Sequence, residues 1–146
     1  MSKSVLFFFL ISLITSCKTD RILLKEGNEI LFYQQPNLLD KKSQTFLTLS
    51  KVEDGRCPED VNCIWGGLVN VNLEIDLRNS KKKEDLKLCF GCLTLKDSIK
   101  AIPSESEINL GGARYHIKLL DVKPNPNVGN PPKIEDYRVS IQIDQL

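Results

Sequence analysis

Over residues 68–77 the chain alternates without a break. Val69, Val71, Leu73, Ile75 and Leu77 fall on one side, and Asn70, Asn72, Glu74 and Asp76 on the other. A period of two is the signature of a strand with one face buried and one face wet; on a helix the same residues would scatter around the circumference. The pattern returns in Tyr137, Val139, Ile141 and Ile143, and again in Tyr115, Ile117 and Leu119. Residues 30–33, 45–53, 86–89 and 92–95 are shorter strand candidates, and no stretch sustains a helical period; residues 98–102 fit one turn at most. Turn residues separate these runs: Gln35-Pro36-Asn37, Asp54-Gly55, Gly66-Gly67, Asn79-Ser80, Gly111-Gly112 and residues 124–132. The last stretch holds four prolines and cannot be a helix or a central strand, so it reads as an exposed connection between the last two strands. Strands with one wet face belong to antiparallel sheets. The expectation is an all-β fold, a single antiparallel β-sandwich or partly open barrel of about seven to eight strands. Trp65, the only tryptophan, is expected in its core.

The N-terminus reads as an address rather than as part of the fold. Lys3 precedes an apolar run over residues 5–14, too short to span a bilayer and of the right length for a signal peptide. The run ends in Ile14-Thr15-Ser16-Cys17, which is similar to the lipobox of bacterial lipoproteins, where the cysteine is acylated and becomes the first mature residue. Residues 1–16 are thus read as a lipoprotein signal peptide, residues 17–27 as a lipidated tether, and residues 28–146 as a single domain. Of the five cysteines, Cys17 takes the lipid and leaves an even number. No aspartate directly follows Cys17, and that favours the outer membrane over retention at the inner one. Removing residues 1–16 removes one charge, Lys3, and leaves 19 basic residues against 19 acidic ones. A neutral surface argues against nucleic acid as a partner, because such binders need clustered positive charge. Lys81-Lys82-Lys83 is followed at once by Glu84-Asp85 and reads as a solvated turn.

Four cysteines remain: Cys57, Cys63, Cys89 and Cys92. An exported chain makes two disulfides the first reading, and three pairings are possible. The local pairing, Cys57 with Cys63 and Cys89 with Cys92, is preferred. Pro58 and the residues after it can curl a short loop, and Phe90-Gly91 can form a tight turn that brings its flanking cysteines together. Two functional readings compete. Cys89-x-x-Cys92 has the spacing of thiol–disulfide enzymes, although such motifs sit at helix N-termini and this one lies between strands. Two cysteine pairs could also hold zinc, although the Cys57–Cys63 spacing is wide for that.

Other chemistry is sparse. His116, the only histidine, falls on the polar face of a strand, and a hydrolase would need a cleft joining it to an acidic residue. Patterns for a nucleophile elbow, a zinc protease, a phosphate loop or a dinucleotide fold are absent, so no cofactor and no catalytic residue is assigned. Glu59-Asp60 lies inside the first cysteine loop but lacks a calcium-binding pattern. Arg56 and Trp65 bracket that loop, and they are residue types that dominate binding hot spots. The structural alternative packs Trp65 on the bridge and pairs Arg56 with Asp54 or Asp60.

Asp54-x-Arg56-Cys57-Pro58, then Cys63-x-Trp65-x-Gly67 and an alternating strand, resembles a group of small lipoproteins and secreted proteins of Bacteroidota-type bacteria. The Tyr115 strand running into Val122-x-Pro124-x-Pro126, and the closing Tyr137 strand, are similar as well. The resemblance covers most of residues 45–144. It implies that Cys57 and Cys63 are bridged and that Trp65 leads into a core strand. It implies no reaction, and Cys89 and Cys92 are not part of the pattern. The functional expectation is a lipid-anchored, non-catalytic binding or accessory module of the cell envelope, with the membrane and another envelope protein as partners. The alternative is a thiol-redox or metal-handling protein using Cys89 and Cys92.

Overall fold

The computed structural model describes residues 22–92, 102–110 and 112–146. Residues 1–16, read above as a signal peptide, and Cys17 lie outside the described residues, as does most of the expected strand at 92–95 and of the turn at 98–102. The strands are β1 (Ile22–Leu23), β2 (Gly27–Phe32), β3 (Pro36–Asp40), β4 (Thr45–Asp54), β5 (Val69–Leu77), β6 (Lys82–Phe90), β7 (Glu105–Leu110), β8 (Ala113–Lys123) and β9 (Arg138–Gln145). Ahead of β9 lies one 3-10 turn, Ile134–Asp136. The fold is all-β.

Two sheets face each other. One has the order β1-β3-β4-β5-β6 and the other β2-β9-β8-β7. Neighbours are antiparallel except the two-residue β1, which runs parallel to β3. Both edges are stitched between sheets. At one, Tyr33 bridges to Leu49 and the Gln34 N–H donates to the Leu49 carbonyl at 2.9 Å. At the other, Cys89 N–H donates to Pro103 O and Leu119 N–H to Ser104 O, both at 2.8 Å. The result is a sandwich, or partly open barrel, whose two sheets are joined by a few backbone bonds at each edge.

The expected alternation is the observed burial. Val69, Val71, Leu73 and Ile75 of β5 are enclosed, as are Ile117 and Leu119 of β8 and Val139, Ile141 and Ile143 of β9. Each such aliphatic side chain contributes about 1.5–3 kcal/mol on leaving water. Register shifts change the inward parity of two strands. In β4 the step between Leu49 and Lys51 moves the inward set from Leu47 and Leu49 to Val52 and Asp54. In β8 the step between Leu119 and Asp121 turns Val122 inward. A bulge inserts one unpaired residue, and that is sufficient to exchange the two faces.

Four expectations need correction. Trp65 is not in the core: it is 65% exposed, and the buried aromatics are Phe46, Tyr115 and Tyr137. Trp65 lies four residues before β5 begins, in the loop that the Gly66-Gly67 pair separates from the strand. Gln35-Pro36-Asn37 is only partly a turn, because Pro36 opens β3; an edge position beside a two-residue partner tolerates its missing N–H. Residues 105–110 form a strand without an apolar run to announce it. The folded region also starts before residue 28, since Ile22–Leu23 pairs with β3 and Leu24 is buried.

Candidate binding surface

The β4–β5 hairpin does not end with its strands. Gly55 N–H donates to Leu68 O and Cys57 N–H to Gly66 O, each at 2.9 Å, so the ladder runs on into the loop. Gly67 sits inside that extension at φ +73°, where a Cβ would collide with the Gly55 carbonyl oxygen and lie 2.7 Å from Arg56 Cα. Only glycine fits there. Beyond it the disulfide Cys57–Cys63 closes the tip. Both local bridges are present, with Cys89–Cys92 closing around Gly91 at φ +79°.

Arg56 ties this tip to the proline-rich connection between β8 and β9. Its Nε and Nη2 donate to the two carboxylate oxygens of Asp54, at 2.9 and 2.6 Å. Nη1 donates to Val122 O at 2.7 Å and to Asn125 Oδ1 at 2.9 Å, and Nη2 also donates to Pro124 O at 2.9 Å. All five N–H groups of the guanidinium are engaged. Asp54 is brought inward by the β4 bulge and also accepts from Arg56 N–H and from the Tyr137 hydroxyl at 3.1 Å. The ion pair is nearly closed to water, with the Arg56 and Asp54 side chains 10% and 5% exposed. Burial alone would raise the Asp54 pKa, but the bonds and charge of Arg56 outweigh it and hold the carboxyl below its usual range. The Tyr137 hydroxyl is pushed up to about 12, first by burial and then by the adjacent Asp54.

Asp60 makes the second tie. Its carboxylate accepts from Val128 N–H at 2.8 Å and from Gly129 N–H at 3.0 Å, and these bonds lower its pKa. Glu59 N–H donates to Pro126 O at 3.0 Å, and the Asn125 amide donates to the Glu59 carboxylate. Two loops almost seventy residues apart are thus joined into one end of the fold. On it Ile64 is fully exposed, Trp65 65%, Val128 61% and Val61 43%. Beside them an open groove of about 610 Å³ is lined by Phe32, Pro124 and Asn125 and by charges of both signs, including Glu59, Lys123 and Arg138.

The remaining sequence candidates lie elsewhere. His116 is on the outer face of β8, with Nε2 3.8 Å from Glu105 and Nδ1 4.0 Å from Asp144, and it lines none of the grooves at the loop end. Cys89 is wholly buried in β6. Among the described residues no three His, Cys, Asp or Glu side chains gather as a metal site would require, and no helix is long and apolar enough to cross a membrane. Arg56 and Trp65 do flank one loop, but they differ in character: Arg56 is internally saturated while Trp65 stands free. Sequence reasoning missed Ile64, Val61 and Val128 as exposed apolar groups and Tyr137 as a partner of Asp54. The Asp54-x-Arg56 spacing carried the signal for the clamp, because a two-residue offset lets an arginine fold back bidentately on an aspartate.

The chain matches no protein-family profile, no curated protein and no solved structure.

Proposed function

We propose that the protein is a lipid-anchored module of the cell envelope, held at Cys17 on the outer membrane, that works by binding and not by catalysis. Its contact surface is the loop end, where Trp65 and Ile64 meet another envelope component. The observation that carries this reading is the contrast within one loop. Arg56, Asp54 and Asp60 are wholly occupied in holding the tip rigid, and that tip holds two large apolar side chains in water. Exposed aromatic and aliphatic anchors on a pre-ordered loop are the usual centre of a binding surface, since little entropy is lost when they dock. Two disulfides support an oxidising compartment, in keeping with export. The thiol-redox alternative would have to act through Cys92, which is half-buried, since Cys89 is enclosed and an attacked sulfur must be reachable.

The test is the intact mass of the protein recovered from membranes, measured with and without alkylation in the absence of reductant. A chain beginning at an acylated Cys17 with four unalkylated cysteines is the expected result. A chain retaining residues 1–16, or one that alkylates at Cys89 and Cys92 or retains zinc, would refute it.

A further inference from the structure

The end of the sandwich that carries the two joined loops also receives the N-terminal tether. β1 is parallel to β3, with Ile22 beside Asn37 and Leu23 beside Leu38. β3 runs from Pro36, opposite Thr48, to Asp40, opposite Thr45, and so away from the Asp54 end of β4. The chain therefore enters β1 from the side of the loops. Asn37 faces Leu47, so Ile22 lies level with Leu47. Asp54 is seven residues further along β4 with one of them bulged out, a rise of about 20 Å. Cys17 precedes Ile22 by five residues, and five residues reach at most about 18 Å. Even fully extended, those five residues cannot carry Cys17 past the level of Asp54, whereas the loop with Val61, Ile64 and Trp65 follows Asp54 in the chain and closes beyond the ladder bonds at Gly55 and Cys57.

We propose that Ile64 and Trp65, flanked by Val61 and Val128, dip into the interfacial layer of the bilayer that anchors Cys17, so that the domain rests loop end down on lipid. This rests on the anchored reading above and names its partner as the lipid surface itself. The residue types suit that layer: an indole has an apolar body and one N–H that remains hydrated at the headgroups, and an adjacent isoleucine reaches the acyl boundary. The nearest acids do not stand free against the surface, since Asp60 is bonded to Val128 N–H and Gly129 N–H and Glu59 to Asn125. The opposite end differs in kind. Its turns hold Lys41, Lys42 and Lys81 in solvent, with Lys82 exposed at the start of β6 where a turn was expected, and this suits water or an anionic headgroup rather than an acyl boundary.

Trp65 is the only tryptophan, so the fluorescence of the whole chain reports this one position. The acylated protein is placed in phosphatidylcholine vesicles whose acyl chains are either plain or brominated. The proposal expects blue-shifted emission that bromine quenches, together with protection from a water-soluble quencher. Ile64→Asp should lower the ratio of docked to undocked loop by about tenfold or more, without loss of folding because Ile64 touches no core. Acylated protein whose Trp65 is unquenched overturns this inference and leaves the anchored reading intact. Docking that requires phosphatidylglycerol and is indifferent to Ile64→Asp overturns it too, by moving the contact to the lysine turns. If the mass shows no lipid on Cys17, the anchored reading falls. Quenching of that unacylated chain by brominated vesicles would then support the tip as a lipid contact in its own right.

Discussion

Arg56→Ala removes one partner from a nearly closed ion pair and leaves four acceptors facing the gap: the Asp54 carboxylate, Val122 O, Pro124 O and Asn125 Oδ1. Breaking a buried pair on one side costs about 3–5 kcal/mol, chiefly because the remaining charge is uncompensated. Asp54 retains two donors, the Arg56 backbone N–H and the Tyr137 hydroxyl, and these offset part of that cost. The lower bound, about 3 kcal/mol, is therefore expected, with a fall in Tm of about 10 °C for a domain of this size. Urea unfolding followed by far-UV circular dichroism measures it. Arg56→Lys should fall in between, because an ammonium retains the charge but cannot reach both Asp54 oxygens and three further acceptors at once.

The double variant Asp54→Asn with Arg56→Ala separates the pair from its surroundings. Coupled side chains make the double variant less damaged than the sum of the singles by about 1–3 kcal/mol. A single-variant loss under about 1 kcal/mol, the range of exposed pairs, would refute the claim that Arg56 is a clamp. So would strict additivity in the cycle. Trp65 anisotropy gives an independent reading, since releasing the clamp should increase motion of the tip even where the sandwich remains folded.

Four further outcomes follow from the same end of the molecule. Because the folded Asp54 pKa is lowered, its contribution is complete above the ordinary carboxylate value and is lost as pH falls below about 4; Asp54→Asn should flatten that acid limb of the stability profile. Tyr137 has the opposite sign, with neutral phenol favoured in the fold, so stability should fall as pH rises from about 10 towards 12, and Tyr137→Phe should remove that alkaline limb. Gly67→Ala should cost about 1–3 kcal/mol through its positive φ and its collision with Gly55, whereas Gly66→Ala, with nothing within 4 Å, should be near neutral in the same urea assay. Replacing Cys57 and Cys63 together by serine should cost about 2 kcal/mol, as expected for so short a loop, and should raise Trp65 anisotropy while leaving strand content unchanged.

Why the fold was legible and the surface was not comes down to the range of the forces involved. Alternation in β5, β8 and β9 is a local record of which face is buried, so the strands and their antiparallel pairing could be read directly. The two cysteine pairs were legible for the same reason, each spanning a few residues. A bulge leaves a weaker trace. The change of inward parity after Leu49 and after Leu119 interrupts the period that a reader relies on, and with it the inward turn of Asp54 and Val122 was lost from view. β7 carries its one enclosed apolar residue, Leu110, at the strand's end, so its place was fixed by pairing with β8 and not by its own composition.

Trp65 illustrates the remaining difficulty. An aromatic beside a disulfide and just ahead of an apolar strand has a core residue's local surroundings, and the expectation of burial was a reasonable use of them. What holds it in water is not local. The hairpin ladder extends to Gly66, the Asp54–Arg56 clamp reaches the carbonyls at Val122 and Pro124, and Asp60 bonds the backbone at Val128. The last two of those ties join segments more than sixty residues apart, and together with the ladder they hold the loop out beyond the sandwich. A chain gains nothing in stability by holding Ile64 and Trp65 in solvent; collapse of the tip onto apolar surface would bury both. Their exposure is therefore enforced by the polar network, and a network built to hold an apolar tip in water is better explained by what the tip meets than by what it stabilises.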